Sequence, residues 1–330
     1  MTEQIRKIEL IVTAREQDEG VGARVRRSIG TQARRNFYPF LLFDHFSGNN
    51  ANGFPEHPHR GQETITLMIN GAMAHEDFTG SKGVLYSGDL QFMTAGKGVV
   101  HSEMPLPAAD GSANEGLQLW VDLPNNLKNS EPRYRDLREW EIPQLVEDDG
   151  KVIVKLISGK SHGVESVKDL AYTPVDYYQY TVKKGGSFKQ ELRKDFNYFL
   201  YVLQGDGLKV NGDRNVKQFQ NAFFVKQGDY FTGENNDDKD VVFALIGGKI
   251  EDQEVIQYGP FVCSSREGVE QAFDDYQSMK NGFENLRTWK TLISHGVTQE
   301  MVDGPLDGSL EKRAQQKEEY LRTHKVINKV

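Results

Sequence analysis

Read for the spacing of its apolar residues, the chain is a succession of short extended runs cut by glycine-bearing turns. Ile5 to Thr13 puts Ile8, Leu10 and Val12 on one face of an extended segment, the period of a half-buried strand. Tyr38 to Phe46 (YPFLLFDHF) is a short continuous apolar run, consistent with a buried strand. From Glu63 the rhythm is regular. ETITLMING, AMAHEDFTG, VLYSGDLQFMTAG and KGVVHSEMP each read as strand and turn, with Asn-Gly and Ser-Gly-Asp punctuation. Gly116 to Leu123 adds a strand, and Val152 to Ile157 restarts β-structure. Between them Glu131 to Glu147, with Pro132, Pro143 and many charges, reads as an irregular connector. The pattern predicts an all-β chain built as an antiparallel sandwich or small barrel, whose alternate residues converge on an interior.

The rhythm then repeats. Tyr177 to Val182, Tyr198 to Leu203, Leu208 to Val210, Ala222 to Val225 and Val241 to Ile246 are further strands, and TLMING and YSGDLQFM resemble the later YVLQGDG and KQGDYFTG. Matching the glycine turns sets Glu191 and Arg193 roughly where His57 and His59 stand. Tyr177 to Pro260 contains no histidine, so a second copy would lack the metal chemistry proposed below for the first. GVEQAFDDYQSMK has helical spacing and predicts a surface helix, and the polar stretch from Gly308 a solvated helix or frayed tail.

Composition narrows the setting. At 330 residues, 37% hydrophobic and 27% charged, the chain has ordinary globular make-up and room for two domains. A net charge of −8 argues against general nucleic-acid binding, so that any role at DNA would run through a protein partner. Cys263 is the single cysteine, which excludes an intramolecular disulfide and suits a reducing compartment. MTEQIRKIEL lacks the apolar core of a secretory signal and no apolar run approaches a membrane span, so an intracellular, soluble protein is expected. The segment GVGARVRRSIG carries Arg24, Arg26 and Arg27; it reads either as a solvated turn whose charges snorkel over apolar neighbours or as a docking surface for an acidic partner.

Candidate chemistry sits at the two ends of Phe54 to Pro105. His57 and His59 flank Pro58, and His101 and Glu103 flank Ser102. Residues two apart share a face on a strand but diverge by about 200° on a helix, so each pair belongs on a strand. Brought together they form three imidazoles and one carboxylate, a set suited to a divalent transition metal with positions left open. The bland alternative is a group of histidines satisfied by hydrogen bonds within a core. His45, beside Asp44, reads as such a structural histidine rather than a fifth ligand. Structural zinc favours closed sets rich in thiolate, and the lone cysteine is far along the chain. Iron, manganese, nickel or copper suit the set, and iron is the expectation for oxygen chemistry.

HPHRGQETITLMINGAMAHEDF, GDLQFMTAGKGVVHSEMP, GVGARVRRSIG, PFLLFDHF, and YGPFV followed by FENLRTWK closely resemble the pirin family of the cupin superfamily. The resemblance is dense from about Arg6 to Leu123 and looser beyond. It implies two stacked antiparallel β-barrels (double-stranded β-helix, bicupin) with a few peripheral helices near the C-terminus. The expected division is a metal-binding barrel over 1–135, a barrel without metal ligands over 136–290 and an extension over 291–330. It also implies one iron ion (Fe2+/Fe3+) per chain on His57, His59, His101 and Glu103, in agreement with the spacing. General cupins use the glutamate of the first motif, here Glu63; the pirin pattern gives that role to Glu103 and leaves Glu63 as an outer or structural carboxylate. Gln62 stands where the family commonly has an aromatic residue, and the tail after Lys290 is longer than usual.

The implied activity is that of a quercetin 2,3-dioxygenase, which opens a flavonol ring with O2, with Glu103 as the catalytic base. The alternative is an iron-dependent, redox-sensing transcription co-regulator of nucleus and cytoplasm. It would act through a transcription-factor partner, without direct nucleic-acid or membrane contact, and its surface would be the basic Arg24 to Arg35 region. A cupin isomerase or storage-type binder using zinc or manganese is a third possibility.

Overall fold

The computed structural model describes residues 2–20, 22–48, 53–108, 110–167, 170–324 and 328–329. Alternating runs with one apolar face bury it by stacking sheets, and here they do so twice. In the first half a seven-stranded sheet runs in the order Arg133–Leu137, Leu90–Thr94, Gln62–Asn70, Asn114–Asp122, Phe40–Gly48, Ala23–Ile29 and Glu16–Glu19. Its companion is a four-stranded sheet, Phe54–His59, Val99–Pro105, Ala72–Asp77 and Lys82–Tyr86. In the second half an eight-stranded sheet runs Ile8–Thr13, Gln220–Phe224, Phe196–Gln204, Val241–Lys249, Val175–Val182, Val152–Ser158, Gln144–Glu147 and Asn328–Lys329. Its companion is Ser187–Glu191, Tyr230–Asn235, Leu208–Val210 and Arg214–Val216. The expected all-β bicupin architecture is present, with the repeat visible strand for strand.

The chain's first strand completes the second half and not the first, which it directly precedes. Ile8–Thr13 pairs with Gln220–Phe224, in the place that Arg133–Leu137 takes beside Leu90–Thr94 in the first half. A β-bulge between Ile8 and Leu10 corrects the expected common face. The extra residue reverses the alternation, so that Ile8 and Ile11 join the core of the second half while Leu10 and Val12 turn to the apolar layer between the halves. Glu131 to Glu147 is likewise no irregular connector, since Arg133–Leu137 and Gln144–Glu147 are strands with regular antiparallel partners. Its prolines fall outside both strands, where a missing N–H costs no ladder bond.

The unbroken run Phe40–Gly48 is explained by burial on two sides. Phe43 faces the second half, with ring centroids 5.2 Å from Phe199 and 5.4 Å from Tyr201. Leu42 lines the cavity of the first half. His45 meets the Tyr201 hydroxyl at 3.0 Å and is the structural histidine expected. The GVGARVRRSIG segment is a strand, not a turn, over Ala23–Ile29. Its arginines are largely neutralised by the strands on either side, with Arg24 and Arg26 on Glu16 at 2.8 and 3.0 Å and Arg27 on Glu19 at 2.8 Å and on Asp44 of Phe40–Gly48 at 2.7 Å.

Ser265 caps the helix Arg266–Gln277 by accepting from the Gly268 N–H. Leu310–Thr323 is a helix rather than a frayed tail, and it docks on the first half. Arg313 forks onto the fully buried Asp89 at 2.6 and 2.7 Å, its guanidinium 4.7 Å from the Trp140 ring centroid.

Candidate metal centre

The site is assembled on two neighbouring strands of the first half. His101 lies on Val99–Pro105, paired on one side with His57 of Phe54–His59 and on the other with Asp77. One ligand atom from each of His57, His59 and His101 lies within 4.8 Å of the others. His57 Nε2 and His101 Nε2 are 2.9 Å apart. Gly61, at φ +76°, lets the chain double back after His59; a Cβ there would fall 1.8 Å from the Val262 carbonyl oxygen. Arg60 ties the turn to the C-terminal segment, donating to Asp275 at 2.8 Å and to the Lys97 carbonyl at 2.6 Å.

The fourth predicted residue lies beside the cluster rather than within it. Glu103 Oε2 is 3.9 Å from His101 Nε2, and the ladder slips between His101 and Glu103, so that Glu103 pairs with Phe54. Gln118 donates to that carboxylate at 3.2 Å and itself accepts from the Thr66 hydroxyl at 2.7 Å. Burial pushes the Glu103 carboxyl up to about 7, against the opposing pull of His75. Burial and neighbouring imidazoles hold His59 and His101 well below the ordinary histidine value, and burial lowers His57. All three are therefore neutral at pH 7, the form that ligates a cation.

Hydrogen-bond accounting supports the metal reading over a satisfied histidine core. His57 Nδ1 lies 2.8 Å from the Pro55 carbonyl, which can only accept, so its proton is on Nδ1 and its Nε2 presents a lone pair toward His101 Nε2. His59 Nε2 is buried with no hydrogen-bond partner among the described residues. Buried polar atoms are rarely left so. A transition-metal ion fits this cluster of neutral nitrogens, with Glu103 able to complete the set.

Glu63 is elsewhere engaged. It accepts from Thr94 at 2.7 Å and from the backbone N–H groups of Tyr172 and Thr173 at 2.9 and 3.0 Å. It thus ties the first half to the segment entering the second, a structural carboxylate. Several residues at the site went unsignalled. Gln118 and Trp120 were legible as every second residue of GLQLWV; the indole stands edge-on to His59 at 5.0 Å. Gln62 was noticed only as a departure, yet its amide lies 2.6 Å from His59 Nδ1. Ser294 meets Ser102 at 2.8 Å and also bonds Glu56, so the C-terminal extension bridges the two ligand strands. In the second half Glu191 and Arg193 do not take the histidine places. Both are exposed, and the inward residues of Ser187–Glu191 are Phe188 and Gln190.

The cluster opens on a cavity of about 1070 Å³, lined by Phe54, His57, Glu103, Gln118 and Trp120, with Tyr38 and Gln257 among its other walls. Two stacked sheet pairs of one topology, with imidazoles gathered inside the first, define a bicupin-type protein. Comparison with known proteins carries this further: the chain belongs to the pirin family. The family model described as Pirin matches residues 22–121, and that of the Pirin C-terminal cupin domain matches 177–282. Pirin of Homo sapiens is 43% identical over 292 residues, which is 88% of this chain and 99% of that one. A pirin-like protein of Solanum lycopersicum is 43% identical over 278 residues, 84% of this chain and 94% of that one. Among solved structures, a quercetin 2,3-dioxygenase from Acinetobacter baumannii superposes with a TM-score of 0.78 at 26% identity, covering 84% of this chain and 99% of that chain. The bacterial pirin YhhW of Escherichia coli, solved with nickel(II), shares the fold at a TM-score of 0.57 and 18% identity, covering 73% of this chain and 99% of that chain.

Proposed function

We propose that this protein holds iron on His57, His59, His101 and Glu103 and acts as a quercetin 2,3-dioxygenase, opening a flavonol with O2. The observation that carries the reading is the convergence of three imidazoles, of which His57 lines, together with Glu103, a cavity of about 1070 Å³, roomy enough for a three-ring substrate. The likeness to a dioxygenase of the same architecture supports it. Bound there, iron supplies Lewis acidity and one-electron chemistry.

The chain's own groups do the rest. Phe54 and Trp120 offer apolar faces to a flat aromatic ligand, and Gln118 fixes one oxygen of Glu103. Glu103, at the cavity wall beside the imidazole cluster, is placed to take the proton of an acidic enol-type hydroxyl. The strand pairing that sets His101 between His57 and Asp77 keeps the nitrogens in place without substrate.

The test is to strip the protein of metal, reload it with each candidate ion, and follow O2 uptake and carbon monoxide release with quercetin. Iron should restore turnover, and Glu103→Gln should lose about 10²–10⁴-fold in turnover, a greater loss than in bound metal. Equal turnover in Glu103→Gln and wild type would remove Glu103 from the chemistry, and iron-loaded protein inert toward quercetin would refute the dioxygenase reading.

A further inference from the structure

The three imidazoles differ in what holds their outer nitrogens. His57 Nδ1 faces the Pro55 carbonyl, an acceptor that admits one tautomer only. His101 Nδ1 has no partner among the described residues. His59 Nδ1 faces the side-chain amide of Gln62 at 2.6 Å, and Gln62 is fully buried. Unlike the carbonyl, an amide can reverse its role. It donates through Nε2 or, turned by 180°, accepts through Oε1.

As placed, Nε2 faces the imidazole while Gln62 Oε1 is buried without a partner. A donor at Nδ1 forces the His59 proton onto Nε2, which points it at the cluster and denies that nitrogen to a cation. With Oε1 on Nδ1 the proton moves outward and the Nε2 lone pair faces His57 and His101. As placed, the far end of the amide has no partner among the described residues, so that end does not lock the donor orientation.

We propose that Gln62 is a positioning residue: the orientation of its amide sets the tautomer of His59, and through it the affinity of the three-imidazole cluster for its ion. An amide that donates to Nδ1 opposes an ion at the cluster and one that accepts favours it, so binding selects the acceptor orientation. The inference rests on the metal-centre reading above, and its test separates the two.

Metal-free wild type, Gln62→Leu, Gln62→Met and Gln62→Glu are titrated anaerobically with ferrous iron alone against a competing chelator. Thermal unfolding of the metal-free forms reports packing separately. Removing the partner in Leu or Met should weaken iron binding about tenfold or more, the usual effect of losing a ligand's outer partner. Glu, an acceptor when ionised, should restore or exceed wild-type affinity. Nitrogen-15 spectra of the metal-free proteins should show His59 protonated at Nε2 in wild type and at Nδ1 in Gln62→Glu. Wild-type iron affinity in the Leu or Met variant, or an unchanged His59 tautomer in Gln62→Glu, would overturn the role of Gln62. A folded wild type that takes up no iron would overturn the metal-centre reading and this inference with it.

Discussion

The two halves of the molecule share a strand order and differ in what fills them. In the first, inward positions of Phe54–His59 and Val99–Pro105 hold His57, His59, His101 and Glu103. In the second, the corresponding strands Ser187–Glu191 and Tyr230–Asn235 turn in Phe188 and Gln190, Phe231 and Gly233. There Tyr180 stacks on Phe243 at 4.8 Å, with Phe188 5.6 Å from Phe243, and the space that is a cavity in one half is packed aromatic core in the other. Topology alone therefore does not make a site. A barrel interior is a core by default, because burying rings is favourable and burying imidazoles and a carboxylate is costly without a partner. The first half bears that cost and the second, with the aromatic layer between them, supplies rigidity.

The contrast can be broken deliberately. His101→Ala should abolish stoichiometric metal binding. Phe243→Ala should leave one ion per chain but cost about 3–5 kcal/mol of stability in denaturant melts. Loss of metal in Phe243→Ala at temperatures where it is folded would mean that the halves are not separable in this way.

A smaller effect concerns pH. The folded Glu103 carboxyl lies near 7 in the metal-free protein, above its unfolded value. Between the two the native state therefore binds more protons than the unfolded state, and stability falls as pH rises from the ordinary carboxylate range through 7. The loss amounts to up to about 3 kcal/mol at saturation, and Glu103→Gln should flatten that part of the profile. A slope surviving in Glu103→Gln would trace to other buried acids that burial also raises, such as Asp44 and, beside Tyr198 in the second half, Asp176.

The smallest effect is expected at the seam. Glu63→Gln puts an amide against the N–H groups of Tyr172 and Thr173 and should cost about 1–3 kcal/mol, with metal content unchanged. Metal lost with that substitution would give Glu63 the ligand role that its hydrogen bonds deny it.

Much of this was legible from residue order. Alternating apolar positions and glycine turns predict two β-rich halves, and His-x-His with His-x-Glu predict imidazoles on one strand face, because both signals live within a few residues and follow the strand's period of two. The continuous run YPFLLFDHF announced a buried strand, and the absence of histidine from Tyr177 to Pro260 announced a barrel without this site. Tertiary structure alone decided that Ile8–Thr13 joins the second half, that Glu63 turns to the seam, that Gln62 abuts His59, that Ser294 bridges the ligand strands and that Arg313 reaches Asp89. Most of these contacts join residues more than a hundred positions apart, and the others depend on a bulge or a tight turn that redirects a side chain. Periodicity describes one face of one segment; which partner that face meets is set by how whole sheets stack.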